Sequence, residues 1–533
     1  MINNNASHTR FYRLGLFAAR RKWWVMGAWF VALVALGPQL GKMTDRMSSG
    51  GFEVPGSQSD RVTRILKDDF SGKYQFSDLL VLHSDELRAT DSEYRAAFLD
   101  VKTALEKSPG IGEVSDPYAT PQQSISAHGR TMTASVGLTD DQDQALKHND
   151  EVEAAIEEAA QGHDDVQVLI TGAAPFYSAF EETTTHDLER AERIAFPITL
   201  LILLFAFGSL VAAGMPLLMA IVALGLSFGL ISIMAANWTT SIFTQNIASM
   251  IGLGVGIDYS LFMLSRFRER LRAEVSVPQA IAETMASSGK AVFVSALTVV
   301  VSLSGTLLVN LQALRSMGVG AMIAVAIAGA AALTFLPAVL VWIGPKVNSL
   351  RVGPRRDKDS RMWHRWAVAV MDRPWAWLGI SVLILVALAA PALDLNVGSS
   401  GPEILPPDAK PRIAAEITAE AFGEGQVAPA QVVIRHQEGV LDGGFGDVYA
   451  AAAAIAKEQE VVRVDSIATL APGANEATAL AAASSPAAEP FIGGLIGDDG
   501  KTTLLSVVTR HGAQSEQSND LVTALRQDLP SVV

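Results

Sequence analysis

One aspartate stands in an apolar stretch where an acid is costly. In "GLGVGIDYSLF" (252–262), Asp258 is followed at once by Tyr259, and between 247 and 264 these two are the only ionisable groups. A carboxylate near the centre of a bilayer costs about 2.5–3.5 kcal/mol on insertion scales. At about 1.5 Å of rise per residue, Asp258 would lie ~12 Å from Arg266, too deep to reach water by extending its side chain. Dehydration of that kind favours the neutral form, so protonated and charged forms are both within reach near neutral pH. The chemistry expected of Asp258 is therefore uptake and release of a proton. Tyr259, about 100° further round a helix, could donate to an acidic partner on an adjacent helix. The plainer alternative is an interhelical hydrogen bond with no turnover of protons.

The elements that would position this pair are also legible. Gly252 and Gly256 make a GxxxG face that lets another helix approach closely, and ordinary packing accounts for such a face. The following apolar run carries Ser295, Thr298, Ser302 and Thr306 on one helical face. These hydroxyls could line a wetted proton path beside Asp258, or they could bond back to their own helix in a packed bundle. Lys290 and Arg315 flank that run as anchors.

Seven apolar runs of transmembrane length explain the composition of the 533-residue chain, which is 49% hydrophobic and 18% charged, with a mean hydropathy of +0.27. They fall at about 23–40, 194–211, 215–235, 247–264, 291–311, 319–343 and 375–393. Each has roughly the 17 to 25 residues that a tilted helix needs to cross a bilayer. The first is expected to be a retained anchor, because no small-x-small cleavage site precedes Gly41.

The formal charge of −14 is unevenly spread. Cations crowd the arm 1–22, the loop after Leu264 (Arg266, Arg268, Arg270, Arg272) and the linker 346–373. By the positive-inside rule these segments face the cytoplasm, with the N-terminus inside. The acidic segments 41–190 and 394–533 then fall outside, and 191–345 and 374–393 hold the spans after the first. An acidic balance without basic patches argues against nucleic acid as a partner.

Enzymatic signals are missing. There is no Walker A sequence, and "GLGVG" lies within a span rather than after a strand. There is no cysteine, which excludes disulfides and thiolate metal sites. His148, His163 and His186 lack ligand spacing and are expected to be solvated. No metal or other cofactor is expected, and the molecule reads as a non-enzyme.

The chain repeats itself. "RRKWWVMGAWFVALVALGPQL" (20–40) answers to "DRPWAWLGISVLILVALAAPALDL" (372–395), and "FEVPGSQSDRVTRILKDDF" (52–70) to "EILPPDAKPRIAAEITAEAF" (403–422). "GRTMTASVGL" (129–138) likewise matches "GKTTLLSVVT" (500–509), and an Ala/Gly-rich insertion near 470–494 lengthens the offset in the second copy. Parallel duplication of a membrane unit is a transporter plan. In 41–190 the pattern reads strand 79–83, helix 92–107, a strand near Gly112, strand 131–138, helix 145–160, strand 166–171. That is β-α-β-β-α-β, the ferredoxin-like order. The second copy runs 431–435, 446–457, 461–467, 502–509, 515–528, without the last strand or the helices that follow it in the first copy. The chain is therefore expected to be the N-terminal part of a longer protein, with five more helices to come.

The motif "GIDYSLFMLSRFRER" (256–270) resembles the signature of the MMPL family, large membrane proteins of the RND superfamily of proton-driven exporters. "FGSLVAAGMPL" (207–217) and "ALTFLPAVLVW" (332–342) resemble it as well, and the resemblance covers nearly the whole chain. It implies an α-helical polytopic plasma-membrane protein of RND type, with two extracytoplasmic α+β porter domains and here an incomplete second repeat. It implies export of lipids, drugs or other amphipathic molecules, powered by the proton gradient through Asp258 and Tyr259. It also implies a second acidic site on a tenth helix, which this sequence does not contain, and an assembly of one or three copies. Two other readings share the layout: an accessory to protein export of the SecD/SecF type, and a lipid sensor like the sterol-sensing domains.

Overall fold

Apolar and charged blocks alternate along the chain, and the fold follows them. A computed structural model describes residues 10–529 except 49–50, 52–53, 71–75, 140–141, 353–360, 395–400, 489–491, 493 and 514. The start of the expected basic arm, the middle of the expected linker and the last residues, 530–533, lie outside the described residues. Helix α1 (Arg10–Arg20) leads into α2 (Lys22–Leu40), the first helix long and apolar enough to cross a membrane.

The first α+β domain follows. It contains α3 (Gln58–Asp69), β1 (Phe76–His83), α4 (Ser92–Leu105), β2 (Ile111–Val114), α5 (Pro121–Ser124), β3 (Thr131–Leu138), α6 (Gln142–Ala160) and β4 (Gln167–Thr171). Its sheet has the order β2-β3-β1-β4 with every neighbouring pair antiparallel. The period of two sends Leu80, Leu82, Met132, Ala134 and Val136 into one core, where they meet Tyr94, Phe98 and Val101 of α4 and Ile156 of α6. Buried Tyr94 finds its hydrogen-bond partner in the carbonyl of Leu82 at 2.7 Å, so the ring costs no unsatisfied hydroxyl.

The bundle is built from α7 (Ala173–Phe207), α8 (Leu210–Ala235), α9 (Phe243–Arg272), α10 (Val277–Thr284), α11 (Lys290–Ser304), α12 (Gln312–Ala330) and α13 (Leu336–Ile343). Two π-helical turns, Met285–Gly289 and Ala331–Phe335, interrupt it. At the second, Thr334 accepts the indole N–H of Trp29 at 3.1 Å, tying α2 to the bundle. Helices α14 (Arg361–Asp372) and α15 (Pro374–Ala389) come next, and α15 buries none of its residues.

Six stretches among the described residues are long and apolar enough to span a bilayer: Lys22–Leu40, Leu210–Ala235, Phe243–Arg272, Val277–Leu308, Gln312–Asn348 and Pro374–Leu393. The apolar run 194–211 is not one helix. It forms the end of α7, the chain turns at Gly208 with φ 63°, and Ser209 caps α8 by accepting the Ala212 N–H.

The second α+β domain comprises α16 (Lys410–Phe422), β5 (Ala430–Arg435), α17 (Phe445–Ile455), β6 (Val461–Asp465), α18 (Glu476–Ala483), β7 (Thr502–Thr509) and α19 (Glu516–Asp528). Its antiparallel sheet is ordered β5-β7-β6, so β5, β6 and β7 take the places of β1, β2 and β3. Among the described residues no strand lies beyond β5 where β4 lies beside β1.

The repeated helices α3 and α16 are exchanged between the domains. Ala414 of α16, flanked by Ile413 and Ile417, packs on Val81 and Leu169 of the first sheet. Lys410 pairs with Glu153 and Glu157 of α6. In return, Asp69 at the end of α3 pairs with Arg435 of β5 and accepts the Thr502 hydroxyl at 2.9 Å.

Candidate functional site

Helix α9 has no proline, and its small residues allow close contact with α8 and α12. A Cβ at Gly252 would lie 2.9 Å from Leu224 Cδ2 and 3.3 Å from Ala324 Cβ. One at Gly256 would lie 3.4 Å from the Ala220 Cα. This glycine face seats α9 on α8, which decides where the rest of its side chains point.

Tyr259 lies about 60° from Gly256 round the helix, and it is turned into the bundle with 8% of its surface exposed. It packs with Met219, Ala223, Met263, Ala296, Val325 and Ala328. Its hydroxyl donates to Ser295 Oγ of α11 at 3.4 Å, a long hydrogen bond.

Asp258 lies about 200° from Gly256, on the opposite flank. Asp258 is exposed on the surface of the bundle and has no hydrogen bond or ion pair among the described residues. It shares that flank with Met250, Gly254 and Phe262, which are exposed as well. The flank is thus an apolar stripe with one carboxyl group on it.

The hydroxyl stripe follows the second of its two readings at Thr298 and Thr306, which bond back to their own helix. Helix α11 packs through Val292 and Ala296, the latter close against Gly329 of α12. That leaves Ser295, Thr298 and Ser302 on its exposed face. Thr298 bonds back to the Val294 carbonyl at 2.8 Å and Thr306 to that of Leu303 at 2.7 Å. The structure joins Ser295 to Tyr259, and it joins none of the stripe to Asp258.

Several polar contacts were not apparent from the sequence. Ser249 of α9, almost fully buried, donates to Glu192 of α7 at 2.8 Å. Arg268, one of the cations read above as marking a cytoplasmic loop, lies in α9 and is only 8% exposed. Its Nε donates to Asn348 Oδ1 at 2.7 Å and its Nη2 to the Phe207 carbonyl at 2.8 Å, with the guanidinium 5.2 Å over the Phe207 ring. It thereby satisfies a carbonyl at the C-terminal end of α7, where no helical partner remains. The helical period held the signal, since Arg268 follows Ser260 and Leu264 on the buried face. Nearby, the Ser209 hydroxyl donates to the carbonyls of Val347 at 2.9 Å and Ser349 at 2.7 Å, closing the same corner. His163, expected to be merely solvated, faces Asp100 at 3.0 Å.

A duplicated multi-pass membrane protein with two α+β domains and a lone acid in a span is the architecture of a membrane transporter. Residues 52–377 match the model of the MMPL family, and the chain belongs to that family. The chain is 31% identical over 529 residues to the mycolic acid-containing lipids exporter MmpL11 of Mycolicibacterium smegmatis, covering 98% of this chain and 52% of that protein. It is 32% identical over 436 residues to the heme uptake protein MmpL11 of Mycobacterium tuberculosis, covering 80% and 45%. It is 26% identical over 452 residues to the trehalose monomycolate exporter MmpL3 of Mycolicibacterium smegmatis, covering 76% and 44%. The chain spans about half the length of these relatives. The cryo-EM structure of the hedgehog release protein Disp from the water bear shares the fold with a TM-score of 0.54 at 11% identity, covering 98% of this chain and 77% of that one.

Proposed function

We propose that this chain is part of a proton-driven exporter of lipids or other amphipathic molecules in the plasma membrane. Asp258 takes up and releases the driving proton, and Tyr259 hands it toward Ser295. The basic arm, the loop after α9 and the linker face the cytoplasm, and the two α+β domains are ferredoxin-like porter domains on the outer side. The antiparallel order β2-β3-β1-β4 supports that plan for the first of them. The lipid class is proposed from the relatives named as exporters of mycolic acid-containing lipids and of trehalose monomycolate.

The observation that carries the proposal is the open apolar flank of α9 with its single carboxyl group. An acid in a span is costly, and such residues mark ion and substrate pathways. With no partner among the described residues, Asp258 is free to meet a second helix and to exchange its proton there. The experiment is lipid export by the full-length protein carrying Asp258→Asn. Export is expected to stop while the amount of protein in the membrane stays the same, and Asp258→Glu is expected to retain part of it. Wild-type export by the Asn variant under an intact proton gradient refutes the relay.

A further inference from the structure

A second carboxyl group, far from α9, is buried in the first α+β domain. Asp78 of β1 is 4% exposed, and its Oδ1 has no hydrogen-bond partner. Its strand is held on both sides, with Asp78 opposite Val136 of β3 and the next residue, Leu79, opposite Thr171 of β4. Directly after Thr171 the chain passes through Gly172 into α7, with no intervening loop. Gly172 has φ 142°, a conformation that side chains avoid, and a Cβ there would lie 2.8 Å from the Asp78 Cα. The carboxyl group is therefore pressed against the first turn of α7, close enough to the Ala173 and Ala174 N–H groups for them to favour its charged form.

From this turn α7 runs for 35 residues into the bundle. Its far end is the corner closed by Arg268 and Ser209. What happens at Asp78 is thus applied to one end of a continuous shaft between domain and membrane.

We infer that Asp78 is a proton-titrated positioning residue for α7: neutral, it seats the first turn against the sheet, and ionised, it draws in water and loosens that seat.

Burial pushes the Asp78 carboxyl up to about 7, against the pull of the Ala174 and Ala173 N–H groups. Strands β3 and β4 bear no ionisable residue. Helix α6 carries Lys147, His148 and Asp150 in its first half, and α7 carries Tyr177 and Glu181 in its first turns. Asp150 acts on Glu181, which burial and that acid both push up. Burial and the two N–H groups govern Asp78 itself. For a carboxyl group raised in the folded state the sign is definite. The seated state binds the proton more tightly, so its stability is full at low pH, falls as pH rises toward 7, and levels off above it.

The experiment is amide hydrogen exchange across residues 173–180 in the intact protein in lipid nanodiscs, corrected for intrinsic exchange, between pH 5 and 8.5. Protection in the wild type is expected to fall, by up to about tenfold per pH unit, until pH 7 and then to flatten. Asp78→Asn, neutral at every pH, is expected to keep the low-pH protection throughout. Corrected protection that does not change with pH in the wild type overturns the inference, and that arm decides even if the variant does not fold. An Asn variant that folds and retains the wild-type pH profile overturns it too. The measurement involves no transport, so it stands or falls separately from the relay at Asp258.

Discussion

Replacing Arg268 by methionine should weaken the whole bundle, because this side chain closes the corner between α7, α9 and the segment after α13. Methionine keeps the apolar stem but leaves two acceptors, Asn348 Oδ1 and the Phe207 carbonyl, without the donors now at 2.7 and 2.8 Å. A buried polar group that loses its partner costs about 1–3 kcal/mol. The cation over the Phe207 ring adds about 1 kcal/mol where it is shielded from water. Removing a buried charge returns part of this, since its desolvation no longer opposes folding. A net loss of about 3 kcal/mol is expected, and Arg268→Lys, which can reach one acceptor but not both, should lose about half of that. The assay is detergent-induced unfolding followed by the intrinsic fluorescence of the nine tryptophans. Arg266→Met is the control: Arg266 pairs with Glu269 at 2.7 Å where the side chains are 31% and 62% exposed. Such surface pairs contribute about 0–1 kcal/mol. If the two methionine variants unfold at the same midpoint, Arg268 does not brace the bundle and the reasoning fails.

Two further outcomes follow from the fold and the proposed orientation. Lys410→Glu places an acid against Glu153 and Glu157 and should separate α16 from α6, with Glu157→Lys restoring the contact; spin-label distances between introduced cysteines would read this, because the chain has none of its own. An unchanged distance in the single variant would mean that the apolar patch of α16 alone holds the exchange. Ser276→Cys, in the exposed turn before α10, should react in whole cells only with a membrane-permeant maleimide, and Ala477→Cys, on exposed α18, with an impermeant one as well; the reverse pattern would invert the proposed topology.

Much of the local structure was written in short-range pattern. Strand Thr131–Leu138 lies where its pattern placed it, and Thr502–Thr509 where its match to the first copy placed it, although both are buried at nearly every residue rather than at every second one. The apolar runs likewise became long helices, since backbone groups in lipid find partners only within their own helix. The break at Gly208 was missed because apolarity continues across it; a reversed φ at one glycine leaves hydropathy untouched.

The sequence by itself determined the duplicated architecture, the number and spacing of apolar segments, and the adjacency of Asp258 and Tyr259, which obliges the pair to diverge by about 100° on any helix. Only the tertiary structure decided which of the two faces inward. That followed from Gly252 and Gly256 meeting Leu224 and Ala220, contacts between different helices. The same holds for the buried place of Arg268, the niche of Asp78 and the exchange of α3 and α16. Each depends on surfaces brought together across long stretches of chain, whereas periodicity reports only how one segment divides its own faces.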